Sequence, residues 1–249
     1  MSTAAAVVKP VVSKRPFYAG VFLITFSVLI FQIVQTRILS VIAWYYLAFF
    51  AISVAMLGMT AGAVWLYLRQ AYFRPEVFAT RLSDFALASA VSMLASLLIQ
   101  FSLIVSVVPT FSTVFAWGLL LTVMAVPYVF SGVVVSLALT RSPFKVSKVY
   151  SVDMIGAALG CVAVVFMLDI VDGPSSIMLA AVFTGLSAYC FFVSASDNEK
   201  KILQQRPVWL RPIPVTSALA ILAFANSLIP VGIKPIVVKV CVELSFLTR

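Results

Sequence analysis

The chain has 249 residues, of which 63% are hydrophobic and only 10% charged, with a mean hydropathy of +1.15. Soluble domains carry about 45–50% apolar and about 25% charged residues, so this composition excludes a water-soluble globule and predicts an all-α polytopic membrane protein. The net charge of +9 comes from basic residues clustered between apolar runs, a pattern of topology signals rather than of a nucleic-acid-binding face.

At ~20 residues per span this length holds about seven spans with short loops and no large soluble domain. Histidine is absent, and Cys161, Cys190 and Cys241 stand alone without metal-ligand or redox spacing. No phosphate-binding glycine loop follows a strand, and no nucleophile elbow is present. The expectation is therefore a chain with no catalytic residue, no cofactor and no metal.

Residues 1–16 form a basic tail with Lys9, Lys14 and Arg15. The apolar run behind it is too long for a signal peptide and lacks a cleavage site, so it reads as an uncleaved first span, 17–36, closed by Arg37. Thr25, Gln32 and Thr36 share one of its faces. The second span, 44–68, carries a stripe of small residues, Ala51, Ala55, Gly58 and Gly62, which lets another helix approach closely. Arg69, Arg74 and Arg81 follow in a loop that Pro75 keeps from continuing as helix, and Ser83 or Asp84 is placed to cap the third span, 85–107. There Ser89, Ser92, Ser96 and Gln100 align on a side that should turn inward, and Pro109 ends the run. The fourth span, 114–139, contains Pro127, which predicts a kink, with Ser131 nearby to satisfy freed backbone groups.

After Arg141, Lys145 and Lys148 comes the fifth span, 150–171. Asp153, Gly156, Ala157 and Gly160 fall on one face, while Asp169 and Asp172 mark the far end. Lipid favours neither a carboxylate nor a glycine stripe, so that face should point into the bundle. Gly173, Pro174 and Ser175 open the sixth span, 174–194, with proline at the first turn. The stretch 197–211 is polar and basic, and the seventh apolar run, 215–231, is short and holds Asn226. Within the tail 232–249 the period changes to two from Ile236 to Leu244, which predicts a β-like strand and the start of a further soluble domain.

Basic loops alternate with uncharged or acidic ones, which puts the N-terminus in the cytoplasm and the chain in the inner (plasma) membrane. Trp44, Trp65, Trp117 and Trp209 fall near span ends, as interfacial aromatics do. Among candidate functional residues, Arg37 reads either as an anion or substrate contact or as a helix-end arginine paired with Asp169 or Asp172. Asp153 either relays protons or binds a cationic amine, or else caps its helix or pairs with Lys148. Gln32 and Gln100 line a solute path or make interhelical hydrogen bonds. Gly58, Gly62, Gly156 and Gly160 read as packing.

Three segments in this order carry a resemblance: FQIVQTRILS from Phe31 to Ser40, LGMTAG from Leu57 to Gly62, and YSVDMIGAALG from Tyr150 to Gly160, followed by Gly173-Pro174. They resemble the membrane region of membrane-bound spermidine synthase-like proteins, of the polyamine aminopropyltransferase family. The likeness covers most of residues 17–240. In that family a multi-spanning segment precedes a Rossmann-like domain that uses decarboxylated S-adenosylmethionine and an amine such as putrescine. Only the membrane region is matched, so no catalytic or cofactor residue carries over. The resemblance implies a non-catalytic anchor and a route for polyamines or related small solutes. A free-standing small transporter and an accessory subunit of a larger membrane complex are the competing readings. The partners expected are the lipid bilayer and either another membrane protein or a second copy of the chain, but no nucleic acid.

Overall fold

A chain inside lipid must satisfy every backbone N–H and C=O internally, so its apolar runs become helices. The computed structural model describes residues 12–42, 47–74, 77–102, 111–196, 199 and 212–228. Among these lie seven α-helices: α1 (Lys14–Ile42), α2 (Leu47–Leu68), α3 (Phe78–Ser102), α4 (Phe111–Arg141), α5 (Val146–Ile170), α6 (Gly173–Ser194) and α7 (Pro212–Leu228). The first six are long and apolar enough to cross a membrane. No strand occurs among the described residues, and the β-like stretch expected at 236–244 lies outside them. So do Trp44, Trp209, Pro109 and almost all of the polar stretch 197–211.

Two boundaries differ most from the sequence expectation. Arg37 does not close the first helix, which continues to Ile42. The third helix begins at Phe78, so Ser83 and Asp84 lie in its interior instead of capping it. A carboxylate from far along the chain lies against its first turn: Glu199 sits close to the backbone N–H groups of Ala79 and Thr80 and accepts that of Ser196 at 3.3 Å. Those first-turn donors have no partner within the helix, and a carboxylate there also complements the helix dipole. Burial pushes the Glu199 carboxyl above its ordinary range, and the nearby backbone N–H groups of Ser196, Ala79 and Thr80 act in the opposite direction. The fourth helix runs unbroken through Pro127, with Ser131 Oγ donating to the carbonyls of Pro127 and Tyr128 at 3.0 and 3.1 Å.

Inside lipid, helices associate through close packing and interhelical hydrogen bonds because the apolar solvent supplies no hydrophobic drive. Both glycine stripes serve that packing. Gly58 sits on α4, where an added Cβ would lie 2.7 Å from Tyr128 Cβ and 2.8 Å from the Ala125 carbonyl oxygen. One turn on, Gly62 faces the carbonyl of Val129, and Gly132 of α4 returns the contact against Met59. Gly156 and Gly160 rest in the same way on Phe22, Thr25 and Phe26 of α1. In both pairs the contacts advance in the same direction along the two helices, so α2 and α4 are parallel, as are α1 and α5.

The remaining close pairs are antiparallel. α6 lies between α1 and α3, with Ser27 Oγ 2.7 Å from Thr184 Oγ1, Ser187 Oγ donating to the Gly20 carbonyl at 2.7 Å, and Ser83 Oγ donating to the Ala188 carbonyl at 2.9 Å. α3 is tied to α4 where Ser89 Oγ donates to the Pro127 carbonyl at 3.1 Å. Of the stripe expected to turn inward, Ser89 and Ser96 are buried, whereas Ser92 and Gln100 are half-buried. α7 follows α6 from Thr216 beside Gly185 to Asn226, whose Nδ2 donates to Ser175 Oγ at 2.8 Å. Interhelical bonds of this kind average about 0.6 kcal/mol each in a membrane.

One end of the bundle gathers the basic residues. There Arg141 donates to the Phe73 carbonyl at 2.7 Å, holding the α2–α3 connection under α4. Arg81 lies 3.7 Å over the Tyr72 ring, donates to its hydroxyl and sits 3.8 Å from the Asp84 carboxylate. Phe17, fully buried, joins α1 to α3, α6 and the α4–α5 connection through the rings of Phe78, Phe191 and Phe144.

Candidate functional site: polar groups inside the bundle

A charged or hydrogen-bonding side chain inside a helical bundle must find a partner or remain costly, so the polar residues of the spans are the places to look for chemistry. Asp153 is 7% exposed and sits on the buried face of α5 with Val149, Gly156, Gly160 and Val164. That face meets α1, whose Thr25 Oγ1 donates to the Asp153 carbonyl at 3.3 Å. Counting from Val146, Asp153 lies ~10 Å along α5, in its second to third turn. This excludes the helix-capping role. The position before α5 is Lys145, which makes no side-chain cap. Among the described residues no ion pair joins Asp153 to Lys148, which is exposed.

The other sequence candidates are dispersed. Gln32 is half-buried on α1, and Arg37 is exposed near the end of the same helix. Gly173 packs against Ile38, which puts Arg37 at the same end of the bundle as Asp169 and Asp172. Both acids are exposed, and Asp172 precedes α6, its carbonyl accepting the backbone N–H of Ser176 at 2.9 Å. Gln100 Nε2 donates to Ser96 Oγ at 2.8 Å within α3. Arg37, Gln32 and Asp153 therefore do not converge: Asp153 lies toward the basic end and Arg37 at the opposite one.

Two polar residues that the sequence reading passes over are buried more deeply. Gln35 of α1 is 0% exposed, and Tyr128 of α4 is 1% exposed. Among the described residues the Gln35 amide and the Tyr128 hydroxyl have no hydrogen-bond partner. The signal for Gln35 was in the helical period, because Ile24, Val28, Phe31, Gln35 and Leu39 form one buried stripe. A polar face drawn through Thr25, Gln32 and Thr36 competes with it on the helical wheel. Among the described residues no cluster of histidine, cysteine, aspartate and glutamate reaches the three ligands a metal needs. Comparison with family models, with curated proteins and with solved structures gives no match.

Proposed function

We propose that this chain is a non-catalytic, multi-pass membrane domain of the spermidine synthase-like kind, and that it holds a small organic cation of the polyamine class at Asp153. The observation that carries the reading is an aspartate that as a residue is less than a tenth exposed, on a glycine-lined helix seam, with no ion pair among the described residues. Unpaired charge is expensive in such a place, and ionisable groups inside membranes are kept at ion and substrate sites. A primary ammonium supplies both the opposite charge and three donors.

The basic end of the bundle, with Lys14, Arg69, Arg141 and Lys145, faces the cytoplasm in this reading, and the chain crosses seven times. Support for the seventh crossing is the run of α7 along α6 as far as Ser175. The orientation predicts that Asp172→Cys reacts with an impermeant thiol reagent from the non-cytoplasmic side of intact cells. Labelling only after the cytoplasmic side is opened reverses it.

For the cation site, spermidine titrated onto the chain in lipid nanodiscs should raise the melting midpoint of the wild type. At a hundredfold excess over Kd the stabilisation is about 2.7 kcal/mol. Asp153→Asn should melt at or above the wild-type temperature without amine, because a neutral amide is cheaper to bury, and should show no response to spermidine. An equal amine shift in both proteins, or none in either, rejects the site.

A further inference from the structure

The Gln35 amide and the Tyr128 hydroxyl stand on facing helices. Phe31 packs on the Tyr128 ring at a centroid distance of 5.2 Å, and one helical turn further along α1 comes Gln35. A turn beyond that, Leu39 packs with Leu120, Met124 and Ala125 of α4 and with Ala51 and Val54 of α2. Gln35 is held between these two rungs, level with the α4 turn from Met124 to Tyr128. That is the turn where Pro127, having no N–H, leaves the Val123 carbonyl without its α-helical donor. One donor–acceptor amide and one hydroxyl thus share a level of the junction, and the released Val123 carbonyl starts the same turn of α4.

The nearest serines on α3 and α4, Ser89 and Ser131, spend their hydroxyls on the Pro127 and Tyr128 carbonyls. Gln35 Nε2, Gln35 Oε1 and the Tyr128 hydroxyl are all buried without a partner, which is rare in a packed interior and expensive in a membrane. Three unsatisfied groups of mixed donor and acceptor character call for a small neutral molecule that both donates and accepts. We propose that the α1–α2–α4 junction is an internal water site, in which a water molecule bridges the Gln35 amide and the Tyr128 hydroxyl. It is separate from the seam at Asp153, which lies toward the other end of α1 and against α5, so it stands or falls independently of the cation reading. A buried water typically makes about three hydrogen bonds, a number this set of groups supplies.

The test is a double-mutant cycle read as melting temperature in nanodiscs, with Gln35→Leu, Tyr128→Phe and the pair. Each removes polar atoms while keeping most of the volume, and Tyr128→Phe loses a single oxygen, so the bundle still forms. With a bridging water, each single change lowers the midpoint by about 2–4 °C, and the pair loses clearly less than the sum. A second readout is a water-to-side-chain cross-peak from the 15N-labelled Gln35 amide, lost in Tyr128→Phe. A rise in midpoint for Gln35→Leu, or strictly additive effects, means the groups are orphans and overturns the site. Coupling without the water cross-peak means that the two side chains bond each other directly, and overturns it as well.

Discussion

Gly62→Ala should force α2 away from α4 and lower the stability of the bundle by on the order of 1–3 kcal/mol, the usual penalty for an extra carbon in a filled interior. The added methyl would meet the Val129 carbonyl and the backbone of Val133 and Gly132. Those atoms belong to a helix and cannot swing aside as a side-chain tip does. Gly118 of α4 supplies the internal control, since an added Cβ there has nothing within 4 Å. Gly118→Ala should be neutral or slightly stabilising, because alanine favours helix over glycine by about 1 kcal/mol. Thermal melts of the two variants in the same detergent decide the matter. Equal behaviour would mean that the close approach of α2 and α4 is not what Gly62 is for.

Phe17→Ala should be the most damaging truncation at the basic end. Phe17 is 0% exposed, and its ring lies 5.1 Å from that of Phe144, 6.0 Å from Phe191 and 6.1 Å from Phe78. Removing it empties a space bounded by three helices and a connection, at a cost of roughly 3–5 kcal/mol for a buried Phe→Ala change. Phe166 of α5 is 62% exposed and serves as the comparison. In a bilayer that surface faces acyl chains in the folded and the dissociated states alike, so Phe166→Ala should shift the melting midpoint little. A loss for Phe166→Ala matching that of Phe17→Ala would place α5's outer face against protein instead of lipid.

The glycine stripes were legible in the sequence because the requirement is local: glycines four apart on a membrane helix let another backbone approach closely. Which neighbour was not legible. That Gly58 meets α4 and Gly156 meets α1 depends on how the helices are arranged around each other, which no spacing encodes. Polar faces were harder still. A stripe drawn through Thr25, Gln32 and Thr36 looks as good on a helical wheel as one through Phe31, Gln35 and Leu39. Only the packing separates the half-buried Gln32 from the enclosed Gln35. The start of α3 was misplaced for a related reason. Asp84 and Ser83 are plausible caps by type, but the helix already starts at Phe78, where the Glu199 carboxylate arrives from beyond the end of α6. A carboxylate supplied by a remote segment leaves no trace beside the helix start it faces.

Both glycine clasps join helices that point the same way, and this has a consequence for how the protein is made. Successive spans leave the ribosome in alternating directions, so a parallel partner is never the next one to be inserted. The α2–α4 grip waits for one intervening span, and the α1–α5 grip waits for three. Throughout that delay the flank of α1 that will receive Gly156 and Gly160 shows lipid Phe22, Thr25 and Phe26, none of them charged. The carboxylate of the pair, Asp153, is carried by the late partner. Nascent α1 can therefore rest in the bilayer alone, and the costly charge enters only when its seam is ready to close.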